Sequence, residues 1–321
     1  MSGDTIEKTF QVAAPARLIL SNVRGSVIIH PGEMDVIQVK AVKHGGFDNG
    51  KDVVEIAQDS DGTVRVETRS HEAMFGFLSH PPRVDYTVEV PQDIHLDASC
   101  ISSSLEVNGL KGIFKLKTVS GDMKLDNLSG SFRLNAVSGK INGSHLEGVL
   151  ELEAVSGGAR LLESNFPSAD AGTVSGDLTM QTPLADGPYQ FGSVSGDVRL
   201  LVPADTRCNA ELKSVSGSIR SSLPATTSRL GHGMKVTQIQ GGGTAVRLKS
   251  VSGDLSIEIE GVPATAIQAE ELAPVRPAAP IPPMPVREPE PPPLSTAEIL
   301  QRIERGEMTV DEAIRLMKNQ D

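Results

Sequence analysis

The stretch "FKLKTVSGDMKL", residues 114–125, contains the pattern that decides the fold of this 321-residue chain. Its central triplet, VSG, occurs seven times, and successive triplets begin 18, 18, 19, 20, 21 and 36 residues apart. The triplets begin at Val119, Val137, Val155, Val174, Val194, Val215 and Val251. A fixed period of this kind is typical of repeat proteins, in which each unit contacts mainly its neighbours.

A finer rhythm divides each unit into two halves. Between Leu110 and Val155, triplets that end in glycine recur every nine residues, as LKG, VSG, LSG, VSG, LEG and VSG. Each half-unit is therefore predicted to be one short strand followed by a turn. The last interval of 36 residues is twice 18, so one coil there is expected to lack the triplet.

Apolar and polar residues alternate within each half-unit, as they do in half-buried strands. Phe114, Leu116 and Val119 are predicted to face inward, whereas Lys115 and Lys117 face outward. One half-unit cannot bury its apolar face alone, but stacked copies can. The sequence therefore predicts an all-β fold: a β-solenoid of two facing sheets, with coils of about 18 residues and two strands in each coil.

The triplet is interpreted as a structural corner. Its valine is expected to turn inward, its glycine to adopt a positive φ, and its serine hydroxyl to satisfy a free backbone group. Aspartate follows the glycine at Asp122, Asp177, Asp197 and Asp254. These carboxylates are predicted to cap their own turns. Asp177 and Asp197 form the one neighbouring pair and are weak candidates for a cation site; otherwise no metal and no cofactor is predicted.

The repeat also extends upstream of the triplets. The segment "LILSNVRGSVII", residues 18–29, aligns with residues 114–125 without gaps, and "LDASCISSSLEV", residues 96–107, is a degenerate copy. One β domain is therefore predicted over residues 4–262.

A proline-rich linker is predicted over residues 263–293. Ten prolines lie within residues 273–293, a composition that favours extended polyproline II and a semi-rigid spacer.

Residues 294–321 are predicted to form a helical hairpin. Two capping-box patterns, Ser295 with Glu298 and Thr309 with Glu312, place helices at about 296–305 and 310–319. The apolar residues predicted to face a partner are Ile299, Ile303, Ile314 and Met317. A hairpin of this size buries little surface. It is therefore expected to bind a protein partner, another copy of the chain, or the solenoid.

The composition excludes several classes of protein. The formal charge of −11 argues against binding nucleic acid, which requires basic surfaces. No apolar run of 18 residues is present, so no integral membrane segment is predicted. The polar start, "MSGDTIEKTF", lacks the apolar core of a signal peptide and favours a cytoplasmic location. Cys100 and Cys208 are interpreted as small residues in or near strands.

No catalytic residues are predicted. A nucleophilic serine needs a base and an orienting group, and the seven histidines share no motif or spacing with the repeated serines. Seven near-equivalent serines are more typical of architecture than of one active site.

The chain resembles the bacterial toast-rack family, whose members carry the label "putative adhesin" and whose function is unknown. The resemblance covers residues 6–261 and rests on "LSNVRGSV" near the start, on the "VDYTVEVPQD" strand and on the serial VSG coils. It implies a β-solenoid without catalytic residues, often accompanied by bacterial membrane-stress modules. The tail is similar to the short helical hairpins of SHOCT type.

The first functional hypothesis is a non-catalytic interaction scaffold, linked to envelope-stress sensing, whose hairpin recruits partners. The alternative is an adhesin or envelope-binding protein. A hydrolase is the third class, and it would need a histidine gathered with carboxylates in a pocket.

Overall fold

The computed structural model describes residues 4–44, 54–69, 83–230 and 234–260. All regular secondary structure in these ranges is β, which confirms the all-β prediction. The linker 263–293, the hairpin 294–321 and its four partner-facing residues lie outside them. The 21 strands are β1 (Asp4–Gln11), β2 (Ala16–Pro31), β3 (Val36–His44), β4 (Val54–Gln58), β5 (Val64–Thr68), β6 (Arg83–Val90), β7 (Asp93–Asn108), β8 (Lys111–Thr118), β9 (Met123–Ala136), β10 (Ile141–Ala154), β11 (Ala159–Leu162), β12 (Asn165–Thr173), β13 (Leu178–Gln181), β14 (Tyr189–Ser195), β15 (Val198–Val202), β16 (Cys208–Ser216), β17 (Ile219–Ser221), β18 (Ala225–Leu230), β19 (Met234–Ile239), β20 (Thr244–Ser252) and β21 (Leu255–Ile259).

Consecutive coils of the middle region pair in parallel with an offset of 18 residues. Lys111 of β8 pairs with Ser129 of β9, and Met123 of β9 pairs with Ile141 of β10. Each coil contributes a longer strand to one face, here the long face, and a shorter strand to the other, the short face. Strands such as β9 and β10 bend through a corner and belong to both, so hydrogen bonds join all described strands into one 21-stranded sheet. The two predicted sheets are therefore two faces of one sheet.

The core lies between the two faces and follows the predicted alternation. Phe114 and Leu116 are fully buried between exposed lysines. Stacking places equivalent residues in contact, so the rings of Phe114 and Phe132 lie 5.4 Å apart and nearly parallel. Phe166 meets Phe132 edge to face, with ring centroids 6.3 Å apart. Cys100 and Cys208 are buried free thiols in strands, as predicted.

The prediction that the triplet valines face inward is wrong. Val119, Val137 and Val155 are each more than two-fifths exposed, and the residue before each valine is buried instead. In the first of these coils that residue is Thr118, which continues the alternation of Phe114 and Leu116. Val119 comes three residues after Leu116, so it falls on the opposite side of the strand.

The triplet glycines are required by close packing between coils, and positive φ is not the reason. A Cβ atom built on Gly139 would lie 1.9 Å from the carbonyl oxygen of Gly121, and one on Gly157 would lie 2.1 Å from that of Gly139. No side chain fits such a gap. Positive φ values belong to another glycine column, Gly112, Gly130 and Gly148, with φ from 134° to 138°.

The coil formed by β20 and β21 comes last in the sequence, but in space it lies second from the C-terminal end of the stack. β20 pairs in parallel with β14 on one side and with β16 on the other, and β21 lies in the same way between β15 and β17. The expectation of a coil without a triplet between Val215 and Val251 is wrong, because the described residues of this interval contain the antiparallel pair β18 and β19. Val251 therefore lies between Val194 and Val215 in the stack.

The N-terminal end has the same arrangement. β2 lies between a coil formed by β5 and β6 and the following coil in β7, although β5 and β6 come later in sequence than β2. Antiparallel strands close both ends: β3 and β4 pair with β6 and β5, and β19 pairs with β16. These strands cover the edges of β5, β6 and β16 that a bare parallel stack would expose.

Candidate functional site

The most distinctive surface is a row of exposed aliphatic side chains along one corner of the stack, here called the aliphatic ridge. Seven of its eight members are between 43% and 52% exposed, and Val215, in the terminal coil, is 87% exposed. In stacking order the ridge consists of Ile101, Val119, Val137, Val155, Val174, Val194, Val251 and Val215. Contiguous apolar surface of several hundred Å² on a soluble domain commonly marks an interaction site.

Backbone hydrogen bonds hold the ridge in a fixed geometry. In five successive coils, the amide of the triplet serine donates to the carbonyl of the ridge residue one coil back. Ser138 donates to Val119 and Ser156 to Val137, both at 2.7 Å, and Ser175 donates to Val155 at 2.8 Å. Valine is also restricted at χ1. The ridge is therefore a preorganised surface with little side-chain entropy to lose on binding.

Two further rows flank the ridge. The serine row follows it and is exposed; it contains Ser102, Ser120, Ser138, Ser156, Ser175, Ser195, Ser252 and Ser216. The polar row lies two residues before the ridge on the long face; it contains Ser99, Lys117, Asn135, Glu153, Gly172, Gly192, Lys249 and Lys213. Lys213, Lys249 and Glu153 form no ion pair with another described residue.

A shallow notch interrupts the polar row at Gly172 and Gly192. A Cβ atom on either glycine would have its nearest neighbour 4.0 Å away, so the outer surface there is bare backbone. Beside the notch, an open groove is bordered by Lys213, Lys249 and the last two ridge valines. A second surface can therefore approach the ridge more closely at the notch than elsewhere along the polar row.

The hydroxyl groups that close the turns belong to the residue before the triplet. Thr118 donates its hydroxyl to the carbonyl of Gly121 at 2.8 Å and accepts the amide of Gly121 at 3.1 Å. Ser193 donates to the carbonyl of Gly196 in the same way, at 2.7 Å. The serines of the triplets are exposed. The prediction that their hydroxyls satisfy a backbone group of the turn is therefore replaced by the finding that the residue before the triplet does so.

The aspartates after the triplets form a column that ties one coil to the next. Asp122 accepts the backbone N–H of Lys140 at 2.9 Å, and Asp177 accepts that of Asp197 at 3.0 Å. Asp197 in turn accepts the N–H of Asp254 at 2.9 Å. The carboxylates therefore cap the turn of the adjacent coil, and the prediction that each caps its own turn is wrong.

The cation candidates Asp177 and Asp197 are joined by a third carboxylate, because the displaced last coil brings Asp254 next to Asp197. Arg220 forms an ion pair with Asp254 at 2.9 Å. Over the described ranges, no group of three His, Cys, Asp or Glu residues is placed to hold a metal ion.

Two of the described histidines are engaged in surface ion pairs. His44 contacts Asp85 at 2.7 Å, and His145 contacts Asp126 at 3.2 Å and Glu163 at 2.8 Å. The hydrogen bond to Asp126 raises the pKa of the exposed His145 imidazole. Within the described part of the chain, no serine hydroxyl is hydrogen-bonded to a histidine, so the arrangement of a serine hydrolase is not formed there.

A buried polar network near the N-terminal end was not predicted. Asn22 donates to the carbonyl of Val84 at 3.0 Å and to the hydroxyl of Ser103 at 2.9 Å, and it accepts the hydroxyl of Thr68 at 3.0 Å. The Thr68 hydroxyl lies 2.8 Å from that of Tyr86, and burial raises the Tyr86 pKa to about 12. The network joins β2 to the coils on both sides and is structural.

The fold and its repeated corners define a β-solenoid of stacked parallel coils. The family model "Toastrack DUF4097" matches residues 17–258, and the chain therefore belongs to the Toastrack family. Within the described residues, no helix is long and apolar enough to cross a membrane.

Solved structures with low sequence identity also align with the chain. A "putative adhesin" from Parabacteroides merdae is 14% identical with a TM-score of 0.41, over 80% of this chain and 96% of that one. A "putative adhesin" from Parabacteroides distasonis is 15% identical with a TM-score of 0.40, over 80% and 97%. A "putative lipid binding protein" from the same species is 11% identical with a TM-score of 0.36, over 81% and 98%. No curated protein matches the sequence significantly.

Proposed function

We propose that this protein is a non-catalytic interaction scaffold whose principal contact surface is the aliphatic ridge. The observation that carries the proposal is the unbroken exposure of an aliphatic side chain on eight stacked coils. If these side chains were buried, each would add apolar contacts to the core and stabilise the fold. Their outward placement favours a contact made with another molecule.

The C-terminal segment 294–321 is proposed as a second contact element. Its support is the sequence: an apolar stripe at Ile299, Ile303, Ile314 and Met317 that a hairpin of this length cannot bury by itself. The proline-rich linker tethers this segment to the solenoid and raises its effective concentration for sites within reach. A role in bacterial envelope-stress sensing is supported by the family resemblance alone.

Site-specific photo-cross-linking tests the ridge. A photoreactive residue replaces Ser156, which is exposed beside Val155, in the full chain inside living cells. We expect cross-linked adducts whose yield falls about tenfold in the double variant Val155→Asn with Val174→Asn, because the apolar contact is lost.

The matched control is Ile113→Asn with Val149→Asn. These residues share a row on the opposite corner and are 41% and 51% exposed, so the chemistry and exposure of the changes are comparable. The adducts should persist in this control. Equal yields in the wild type and the ridge variant, or no adducts at all, would contradict the ridge as a contact surface.

A further inference from the structure

We propose that the aliphatic ridge binds the ridge of a second copy of this chain, in antiparallel orientation, about a twofold axis beside Gly172 and Gly192. The proposal rests on the proposed function in one respect, namely that the ridge is a contact surface. It adds the identity of the partner and the register of the contact.

The repeat distance of the ridge favours a second copy as the partner. Neighbouring ridge residues are separated by one strand spacing, about 4.8 Å. A surface with the same spacing over several coils is present on another copy of this solenoid. A twofold axis that crosses the ridge at right angles brings valine onto valine and the polar row onto the polar row, with the order of the coils reversed.

Charge decides the register of the two ridges. With the axis between Gly172 and Gly192, Glu153 of one copy faces Lys249 of the other, and Asn135 faces Lys213. The two bare glycines meet at the axis, where the surfaces must approach most closely. Glu153 and the two lysines form no ion pair with another described residue of their own chain, so they are available for this contact.

The next outward row on the long face agrees with the same register. This row contains Lys115, Arg133, Glu151, Asp170, Gln190, Arg247 and Glu211 in stacking order. Within one chain, Arg133 already pairs with Glu151 at 2.6 Å and Arg247 with Glu211 at 2.9 Å. Across the proposed axis, Arg133 also faces Glu211 and Glu151 also faces Arg247, so the two ion pairs of one copy meet those of the other with opposite charges aligned.

Neighbouring registers are less favourable. A shift by one coil toward the N-terminal end places Lys117 opposite Lys213 and Arg133 opposite Arg247. A shift by one coil the other way aligns Glu153 with Lys213 and Asp170 with Arg247. It also places Glu151 opposite Glu211 and leaves one more valine per copy uncovered than in the proposed register. Like charges that face each other oppose association. The proposed register covers six valines per copy, Val137 to Val215 in stacking order, and places no like charges opposite each other in these two rows.

The contact spans six coils and is narrow. Its total buried area is at or below the small end of specific interfaces, which begin near about 1,200 Å². We therefore expect a reversible dimer that dissociates in the micromolar range and is seen in a concentration series.

Sedimentation velocity on the full chain tests the proposal through a charge exchange. Glu153→Lys should raise the dimer dissociation constant at least tenfold, because the introduced ammonium group then faces Lys249 of the other copy. Lys249→Glu should do the same, because its new carboxylate faces Glu153. The double variant Glu153→Lys with Lys249→Glu should return the constant to within about threefold of wild type, since opposite charges face each other again.

Glu147→Lys serves as the control, because Glu147 is exposed in the same coil but lies away from the ridge. It should leave the dimer unchanged. A wild-type chain that remains monomeric at millimolar concentration overturns the proposal, and so does a double variant that fails to recover. If ridge-dependent adducts form in cells only with a different protein, the ridge remains a contact surface and the second copy is excluded.

Discussion

Position along the strand, more than apolarity, decides which side chain closes the core at each corner. In the coil that begins at Lys111, the buried positions are Phe114, Leu116 and Thr118, each two residues after the last. A small hydroxyl residue suits the final position because it fills little space and caps the turn at Gly121. Val119 is thereby left on the outside, where the ridge is formed.

Val155→Asp provides a test at this scale. Val155 is about half exposed, so a charge there remains in contact with water, and we expect the free energy of unfolding to change by about 1 kcal/mol or less. Leu152→Asp, three residues earlier at a buried position, should cost about 4 kcal/mol or more, because it buries an unpaired charge. Urea unfolding followed by circular dichroism measures both. A large loss of unfolding free energy in Val155→Asp would show that the triplet valine belongs to the core.

The alternation in the sequence was sufficient to predict Phe114 and Leu116 as core residues. The same alternation indicates Thr118 as the next core residue, whereas the apolar character of Val119 favours the valine. An odd spacing from Leu116 to Val119 was the available signal for an exposed valine. The glycine contacts could not be predicted in this way, because the approach of two backbones depends on the geometry of the adjacent coil.

Columns of equivalent residues, one from each coil, are the elements that hold the stack together. Glycines allow adjacent corners to approach, aspartates cap the amides of the next coil, and serine amides bond the carbonyls of the coil before. A change in any member of a column therefore acts on two coils at once.

Gly139→Ala tests the glycine column. The added methyl group would lie 1.9 Å from the carbonyl oxygen of Gly121, so we expect a loss of about 3 kcal/mol as the two coils separate. Gly172→Ala is the matched control, because the nearest atom to its new methyl group is 4.0 Å away. That variant should be neutral or slightly more stable. Thermal unfolding of both proteins, at concentrations below those at which the chain is expected to dimerise, gives the comparison, and similar midpoints would show that the close approach is not a constraint.

At the scale of the whole molecule, the solenoid supplies the rigid body and the C-terminal segment is proposed to supply a second contact. The period of 18 residues was sufficient to predict the coils and the two strands in each. The order of the coils was not predictable, because the 36-residue interval after Val215 fits a missing coil as well as an excursion. The proposed register of the dimer was not predictable either, since it depends on the displaced coil that contains Lys249.

Ile303→Glu with Ile314→Glu tests the C-terminal segment. In the background of the ridge variant Val155→Asn with Val174→Asn, we expect this pair to abolish recovery of partners in pull-downs with a second tagged copy and with native lysate. The melting of the β domain should not change. The control, Gln301→Glu with Asn319→Glu, adds the same charge outside the predicted apolar stripe and should recover the same proteins. Recovery that persists in the isoleucine variant would exclude the segment as a contact element.

The displaced last coil has a consequence for synthesis on the ribosome. β16 and β17 emerge before β20 and β21, yet the strands they stack on are β20 and β21. Until residue 259 has been translated, β14 and β16 each keep an open edge facing the gap that the last coil will fill. A nascent chain can therefore assemble its middle coils as they appear. The C-terminal end of the solenoid is completed only when β20 and β21 insert between the coils on either side.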